Sequence, residues 1–171
     1  LIAVLLQSDY ILSQDHWETA IFADDNWNYI IPSQEPSSNW NTVTFDDSDW
    51  SVGPGGFGYG DNDDGTTVNN GTISVFMRRA FTITELTKLN TAILHADYDD
   101  GFVAYLNGVE VFRSFNLADE DDTGPYDATT SIDHEAQLYT GLVPEAYVLD
   151  SIDIAELLLV GDNMLAIQVH N

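Results

Sequence analysis

Asn107-Gly108 stands between two alternating runs, Phe102-Val103-Ala104-Tyr105-Leu106 and Val109-Glu110-Val111-Phe112-Arg113. A two-residue hairpin turn needs φ > 0 at both central positions, and Asn followed by Gly tolerates this best. The pattern predicts two antiparallel strands folded back at 107–108. A chain with such a hairpin must bury its apolar face against more sheet, since an isolated hairpin is marginal in water.

The segment before it supplies more sheet. Ile73, Val75, Met77, Phe81 and Ile83 recur at period two, which predicts a long strand with one buried face. Arg79 falls on that face and would need a carboxylate partner if buried. Leu89 to Ala96 reads as a further strand, with Ala92, Leu94 and Ala96 alternating against Ile93 and His95. Earlier strands are predicted at 18–22, 27–31 and 42–45, and a last one through Leu165, Ile167 and Val169. Asp46-Asp47-Ser48-Asp49-Trp50 reads as a turn. The run 53–60 carries too much Gly for regular structure and suggests a close backbone approach or a bulged edge. A short helix is expected over 154–159 after Asp153, ended by Gly161. The stretch 114–144 is long and acidic, but it also holds Leu138 and Tyr139, so part of it is expected to pack. Short strands at fairly regular spacing, with few long 3.6-period segments, predict an all-β sandwich.

Charge decides which partners such a sandwich can take. Asp and Glu number 29 against 4 Lys and Arg, for a net charge of −25. Four cations cannot form a phosphate-tracking surface, so nucleic acid is excluded, and anionic membrane surfaces are disfavoured. No apolar run approaches the ~20 residues of a membrane span. Cysteine is absent, which removes disulfides, thiol nucleophiles and Cys-based zinc sites. Of the acids, 21 are Asp and 8 are Glu, a bias toward turns, caps and calcium loops rather than helices. They cluster at 24–25, 46–49, 61–64, 97–100 and 119–122. The opening Leu1-Ile2-Ala3-Val4-Leu5-Leu6 lacks the Met, basic start and cleavage site of a signal peptide. It reads as part of a processed or excised piece of something longer.

Several motifs in order resemble a known family. They are His16-Trp17-Glu18, Trp40 with Phe45-Asp46-Asp47-Ser48-Asp49-Trp50, Gly56-Phe57-Gly58-Tyr59-Gly60-Asp61, Val75-Phe76-Met77-Arg78-Arg79-Ala80-Phe81, Asp97-Tyr98-Asp99-Asp100-Gly101 running into the hairpin, and Leu165-Ala166-Ile167-Gln168-Val169-His170-Asn171. Together, over roughly 16–171, they resemble a galactose-binding-domain-like jelly roll, an accessory module of secreted multi-domain bacterial proteins. They are also similar to carbohydrate-binding modules and to sugar-binding sandwich domains of glycoside hydrolases. The resemblance implies an all-β, jelly-roll β-sandwich of eight or nine strands over 16–171. It further implies a non-catalytic role, and in many such domains a structural calcium and glycan binding. Residues 1–15 match nothing in the pattern and are a possible added strand.

Three sites follow. Asp61-Asn62-Asp63-Asp64-Gly65 alternates acids before a Gly and could turn several oxygens onto a calcium ion. No Glu stands at the twelfth position, so this is not an EF-hand, and the competing reading is a solvated turn. Asp97, Asp99 and Asp100 repel one another unless Arg78, Arg79 or a calcium ion sits among them, or unless Asp99 or Asp100 caps backbone amides. The expected metal ligands are thus Asp61, Asp63, Asp64, Asp99 and Asp100. Sugar faces stack on Trp and Tyr rings, while Asp, Asn and Arg bind hydroxyls. Trp40 and Trp50 are expected in the core; Trp27 and Tyr59 are expected to be exposed and, with Tyr98, to bind ligand. No His-Glu-x-x-His or Gly-x-Ser-x-Gly is present, so no enzyme is expected. The expected partners are a glycan or extracellular polymer and other domains of a larger chain, at a secreted or cell-surface location. The competing function is a structural or adhesive spacer without a sugar site.

Overall fold

A computed structural model describes residues 16–60, 64–117 and 125–171. Asp61, Asp63, the 119–122 cluster and the segment Leu1–Leu6 lie outside the described residues.

Ten strands and one short helix carry the fold: β1 (Asn26–Ile30), β2 (Ser51–Pro54), β3 (Phe57–Gly58), β4 (Thr66–Thr67), β5 (Ser74–Ile83), β6 (Ala92–Ala96), β7 (Gly101–Leu106), β8 (Val109–Arg113), β9 (Glu145–Leu149), α1 (Ser151–Leu157) and β10 (Gly161–His170). Six of them form one antiparallel sheet in the order β2-β1-β5-β10-β7-β8. Two small pairs, parallel β3-β4 and antiparallel β6-β9, complete a β-sandwich. Among the described residues no helix is long and apolar enough to cross a membrane.

The hairpin forms where the sequence predicts it. Asn107 has φ 55° and Gly108 φ 93°, and Leu106 pairs with Val109. The Asn107 side chain then ties the turn to the rest of the molecule. Its Nδ2 donates to Leu157 O (2.7 Å) and Asn163 Oδ1 (2.8 Å), and its Oδ1 accepts from Met164 N (2.8 Å).

β5 differs from its expectation. Val75 and Met77 do share a core face, packing with Trp27 and Val68. Its first half is buried on both faces, however: Phe76 enters a second core with Trp40, Val103, Tyr105, Met164 and Ala166. The roof over this second face is the segment 37–50, which is turns rather than the strand expected at 42–45. Arg78 anchors that roof. Its side chain is fully buried, and it donates to Asp47 (2.6 Å), Phe45 O (3.2 Å) and Thr42 O (2.8 Å). Burial pushes its ionisation downward, and Asp47 opposes that. Arg79, the residue expected to need a carboxylate, has one in Asp25 at 3.2 Å. Neither arginine serves the 97–100 acids, which corrects that pairing.

Other boundaries shift for local reasons. The segment 18–22 is not a strand. α1 starts three residues earlier than expected, because Asp150 caps Ile152 N and Asp153 N while Asp153 reaches back to Asp150 N, a capping box. Gly55 does make the expected close approach: a Cβ there would lie 1.9 Å from Ala23 O.

Candidate functional site at the loop end of the sandwich

The antiparallel ladders bring the end of β10 beside the starts of β5 and β7, with His170 paired to Ser74 and Gly101. The loops leaving those strand ends therefore meet at one end of the sandwich. On one side, Asn171 N donates to Ile73 O (2.9 Å) and Asn171 Nδ2 donates to the Tyr59 hydroxyl (3.0 Å). On the other, Asp100 N donates to His170 O (2.9 Å). Tyr59 and the 97–100 acids, far apart in sequence, thus flank the same strand terminus.

The acidic side is built as a staple. Asp97 accepts from Gln137 N (2.7 Å) and Leu138 N (3.1 Å), and Asp100 accepts from His134 N (2.8 Å). Asn116 adds bonds to Asp100 O (3.0 Å) and Ile132 O (2.7 Å). Carboxylates thus satisfy backbone amides of the 131–138 strap; Asp100 does cap an amide, but one of this distant strap rather than of its own turn, and Asp97 joins it. Part of 114–144 does pack, through Leu117 and Tyr126, while Leu138 and Tyr139 at the strap's end are exposed. Asp99 is pushed up to about 6. The loop withholds water from it although it reaches the surface, and Asp100 and Glu135 add negative charge nearby.

Tyr98 is not a free platform. It is 6% exposed, stacked on His134 with centroids 4.2 Å apart, and its hydroxyl donates to Glu145 (3.0 Å). Tyr147 donates to the same Glu145 oxygen (2.6 Å), and His134 Nε2 lies 3.3 Å from the other. The Tyr147 hydroxyl heads the influences that hold the Glu145 carboxyl below its usual range. Burial, then the Glu145 carboxylate, push the Tyr147 hydroxyl upward. This linked set escaped the sequence reading because its members lie on three separate segments. The one local signal was Glu145 and Tyr147 sharing a strand face at period two.

The opposite side is a cleft of about 250 Å³ between Ile31-Pro32, the 69–72 turn and Tyr126-Asp127. Asn69 and Asn70 are exposed on its rim. Tyr126 is fixed in its wall, since its N–H donates to Glu35 (2.9 Å) and its carbonyl accepts from Ser74 Oγ. Tyr59 is 37% exposed nearby, as expected. The exposed planar amides of Asn69 and Asn70 offer both donors and acceptors, as hydroxyl-rich ligands need. The signal for this cleft was present as Asn69-Asn70-Gly71, a turn leading into the clearest strand.

Trp27 corrects the expectation of exposure. It is 7% exposed and packs with Val68, Val75 and Met77, because β1 is an interior strand whose alternation turns residue 27 inward. Trp40 is buried and Trp50 stacks on it, as expected. Among the described residues no group of three or more His, Asp or Glu is gathered as a metal would require. Asp64 is described and partly buried, with its carboxylate against Gly58.

No protein-family model matches the chain, and no curated protein does. Solved structures do resemble it. A β-glucuronidase from glycoside hydrolase family 2 superposes with a TM-score of 0.53 at 15% identity, over 87% of this chain and 13% of that one. The β-glucuronidase of Bifidobacterium dentium, solved with coumarin-3-O-glucuronide, gives a TM-score of 0.53 at 13% identity, over 86% of this chain and 19% of its own. One from an uncultured Clostridium sp. gives a TM-score of 0.51 at 16% identity, over 86% and 21%. At such identities the likeness is one of fold. The chain spans only 13%, 19% and 21% of the three proteins' lengths.

Proposed function

We propose that this chain is a non-catalytic accessory domain of a larger secreted or cell-surface protein, a galactose-binding-like jelly roll that binds carbohydrate at its loop end. The observation that carries the reading is the cleft flanked by Asn69, Asn70 and Tyr126, with Tyr59 exposed nearby. Its amides suit hydroxyls, and the exposed Tyr59 nearby is the ring available to a sugar face. Likeness to a small part of long glycosidase chains supports an accessory rather than a catalytic role. A glycan array followed by calorimetry tests it. Binding should weaken about fivefold or more in an Asn69→Ala/Asn70→Ala double variant, since two lost hydrogen bonds at ~0.5–1.5 kcal/mol each amount to ~1–3 kcal/mol. Unchanged affinity in that variant, or no glycan bound at all, overturns the proposal.

Calcium belongs to the same proposal, with Asp64 and the neighbouring 61 and 63 carboxylates as one site and Asp99 with Asp100 as the other. Asp99 stands near Asp100 and Glu135, like charges that a bound cation would offset. A ligand that binds only the folded state must raise the melting temperature. A melt in EDTA with an unchanged midpoint therefore refutes it.

The adhesive or spacer reading keeps one observation of its own. Leu138, Tyr139, Leu142 and Val143 are all at least half exposed beside the acidic staple. Such a patch suits a protein surface better than a sugar.

A further inference from the structure

The chain contains two Asn-Gly steps, and the fold treats them oppositely. We infer that Asn70-Gly71 is a self-modifying site at which Asn70 converts to aspartate and isoaspartate in the native protein, while Asn107-Gly108 is protected.

The chemistry needs only the two residues and water. The Gly71 backbone nitrogen loses its proton and attacks the side-chain carbonyl carbon of Asn70. A C–N bond forms and closes a succinimide ring, the C–N bond to the amide nitrogen breaks, and ammonia leaves. Water then opens the ring at either carbonyl. One product is aspartate. The other is isoaspartate, with the main chain rerouted through the β-carbon. The sum is amide plus water giving carboxylate plus ammonium, with nothing oxidised or reduced.

Each requirement is met at 70–71. Asn70 and Gly71 are both exposed. Thr72 N donates to Asn69 O (3.1 Å), so 69–72 is a turn closed around the pair, and Gly71 has φ 84°. The Gly71 N–H donates to no group among the described residues, and nothing lies within 4 Å of where a Cβ would stand. Among the described residues the attacking nitrogen is therefore unbonded, and the Asn70 carboxamide has no hydrogen bond to hold it away.

At 107–108 the side chain is tied down and access is closed. The Asn107 carboxamide makes three hydrogen bonds, to Leu157, Asn163 and Met164, using both its nitrogen and its oxygen. Attack would have to break them. Thr42 covers Gly108, with its Cγ2 3.0 Å from the Cβ position. The same dipeptide is thus an internal control for what folding does to the reaction.

The consequence for the cleft rests on the carbohydrate reading: either product replaces a neutral amide on its rim with a negative charge, and the isoaspartate form also lengthens the turn's backbone by one carbon. The modification itself does not depend on that reading.

The test incubates the intact protein at mildly alkaline pH and follows both sites by peptide mass spectrometry, with isoaspartyl methyltransferase labelling to count isoaspartate. Native protein should convert Asn70 at least tenfold faster than Asn107, because Asn107 reacts only from locally opened states. In urea the two rates should converge. An Asn70→Gln variant should lose the fast phase and keep its melting temperature. Equal rates in the native state, or no conversion of Asn70, overturn the inference. Glycan affinity, measured on aged and fresh protein, separates this outcome from the fate of the carbohydrate reading.

Discussion

Replacing Arg78 with lysine keeps the charge and the stem but removes the fork that pins the 37–50 roof. The native guanidinium makes three bonds, to Asp47, Phe45 O and Thr42 O, and lies 4.9 Å from the Phe45 ring centre and 5.9 Å from that of Trp50. An ammonium can keep Asp47, yet it cannot span to both carbonyls as well. Each hydrogen bond to a charged group contributes ~1.5–3 kcal/mol, and a cation over an aromatic face ~0.5–2 kcal/mol. Some loss is recovered because the ammonium satisfies the carboxylate and can hydrate. The expected cost of Arg78→Lys is about 3 kcal/mol. Arg78→Met leaves Asp47 without its partner and should cost ~3–5 kcal/mol, the range for breaking one side of a buried pair. Urea unfolding followed by circular dichroism measures both, provided the slope with denaturant stays constant. Adding Asp47→Asn to Arg78→Met should recover part of the loss, since the orphaned charge is gone. If Arg78→Lys lies within about 1 kcal/mol of the native protein, the roof is not held by the fork and the argument from bond count is wrong.

Asp99→Asn should show a pH-dependent sign. Its carboxyl is raised in the folded state from 3.8 to about 6, so its stabilising contribution is full below 3.8 and lost as pH rises through about 6. The variant, always neutral, should melt higher than the native protein at pH 7.5 in EDTA and converge with it below pH 4; a lower melt at pH 7.5 in EDTA contradicts this. Trp27→Ala should destabilise by ~3–5 kcal/mol and leave glycan binding by the folded fraction unchanged, read by urea unfolding and calorimetry. Gly55→Ala should cost ~1–3 kcal/mol, because Ala23 O occupies the space of the new methyl; an unchanged unfolding midpoint contradicts it.

What the sequence made legible was local. Asn107-Gly108 specifies its own turn through backbone preference alone, and the strands on either side follow from period two. What stayed hidden needed distant partners. Arg78 and Arg79 are adjacent, and alternation alone put Arg79 on the apolar face. The structure buries Arg78 instead, because the 37–50 segment folds over the opposite side of β5. Trp27 follows three polar residues, a context that suggests exposure, yet β1 lies between β2 and β5. The Tyr98–His134–Glu145–Tyr147 set joins residues up to 49 positions apart, so no motif could announce it. The acids at 97–100 were conspicuous as a cluster, but which carboxylates bind amides depends on where the 131–138 strap crosses.

β10 joins two halves of the main sheet that are otherwise separate, β2-β1-β5 on one side and β7-β8 on the other. Its ten-rung ladder with β5 pairs Gly161 with Ile83 and His170 with Ser74, contacts that close very long loops. Such pairings form slowly, and only β7-β8, joined by its two-residue turn, can gather early as a local hairpin, while β1, β2 and β5 must pair across long loops before the joining strand arrives. The cleft and the acidic staple both hang on the end of that strand. Any site at the loop end is therefore a property of the finished sheet alone, and a chain stalled before β10 inserts would hold neither the cleft nor the staple.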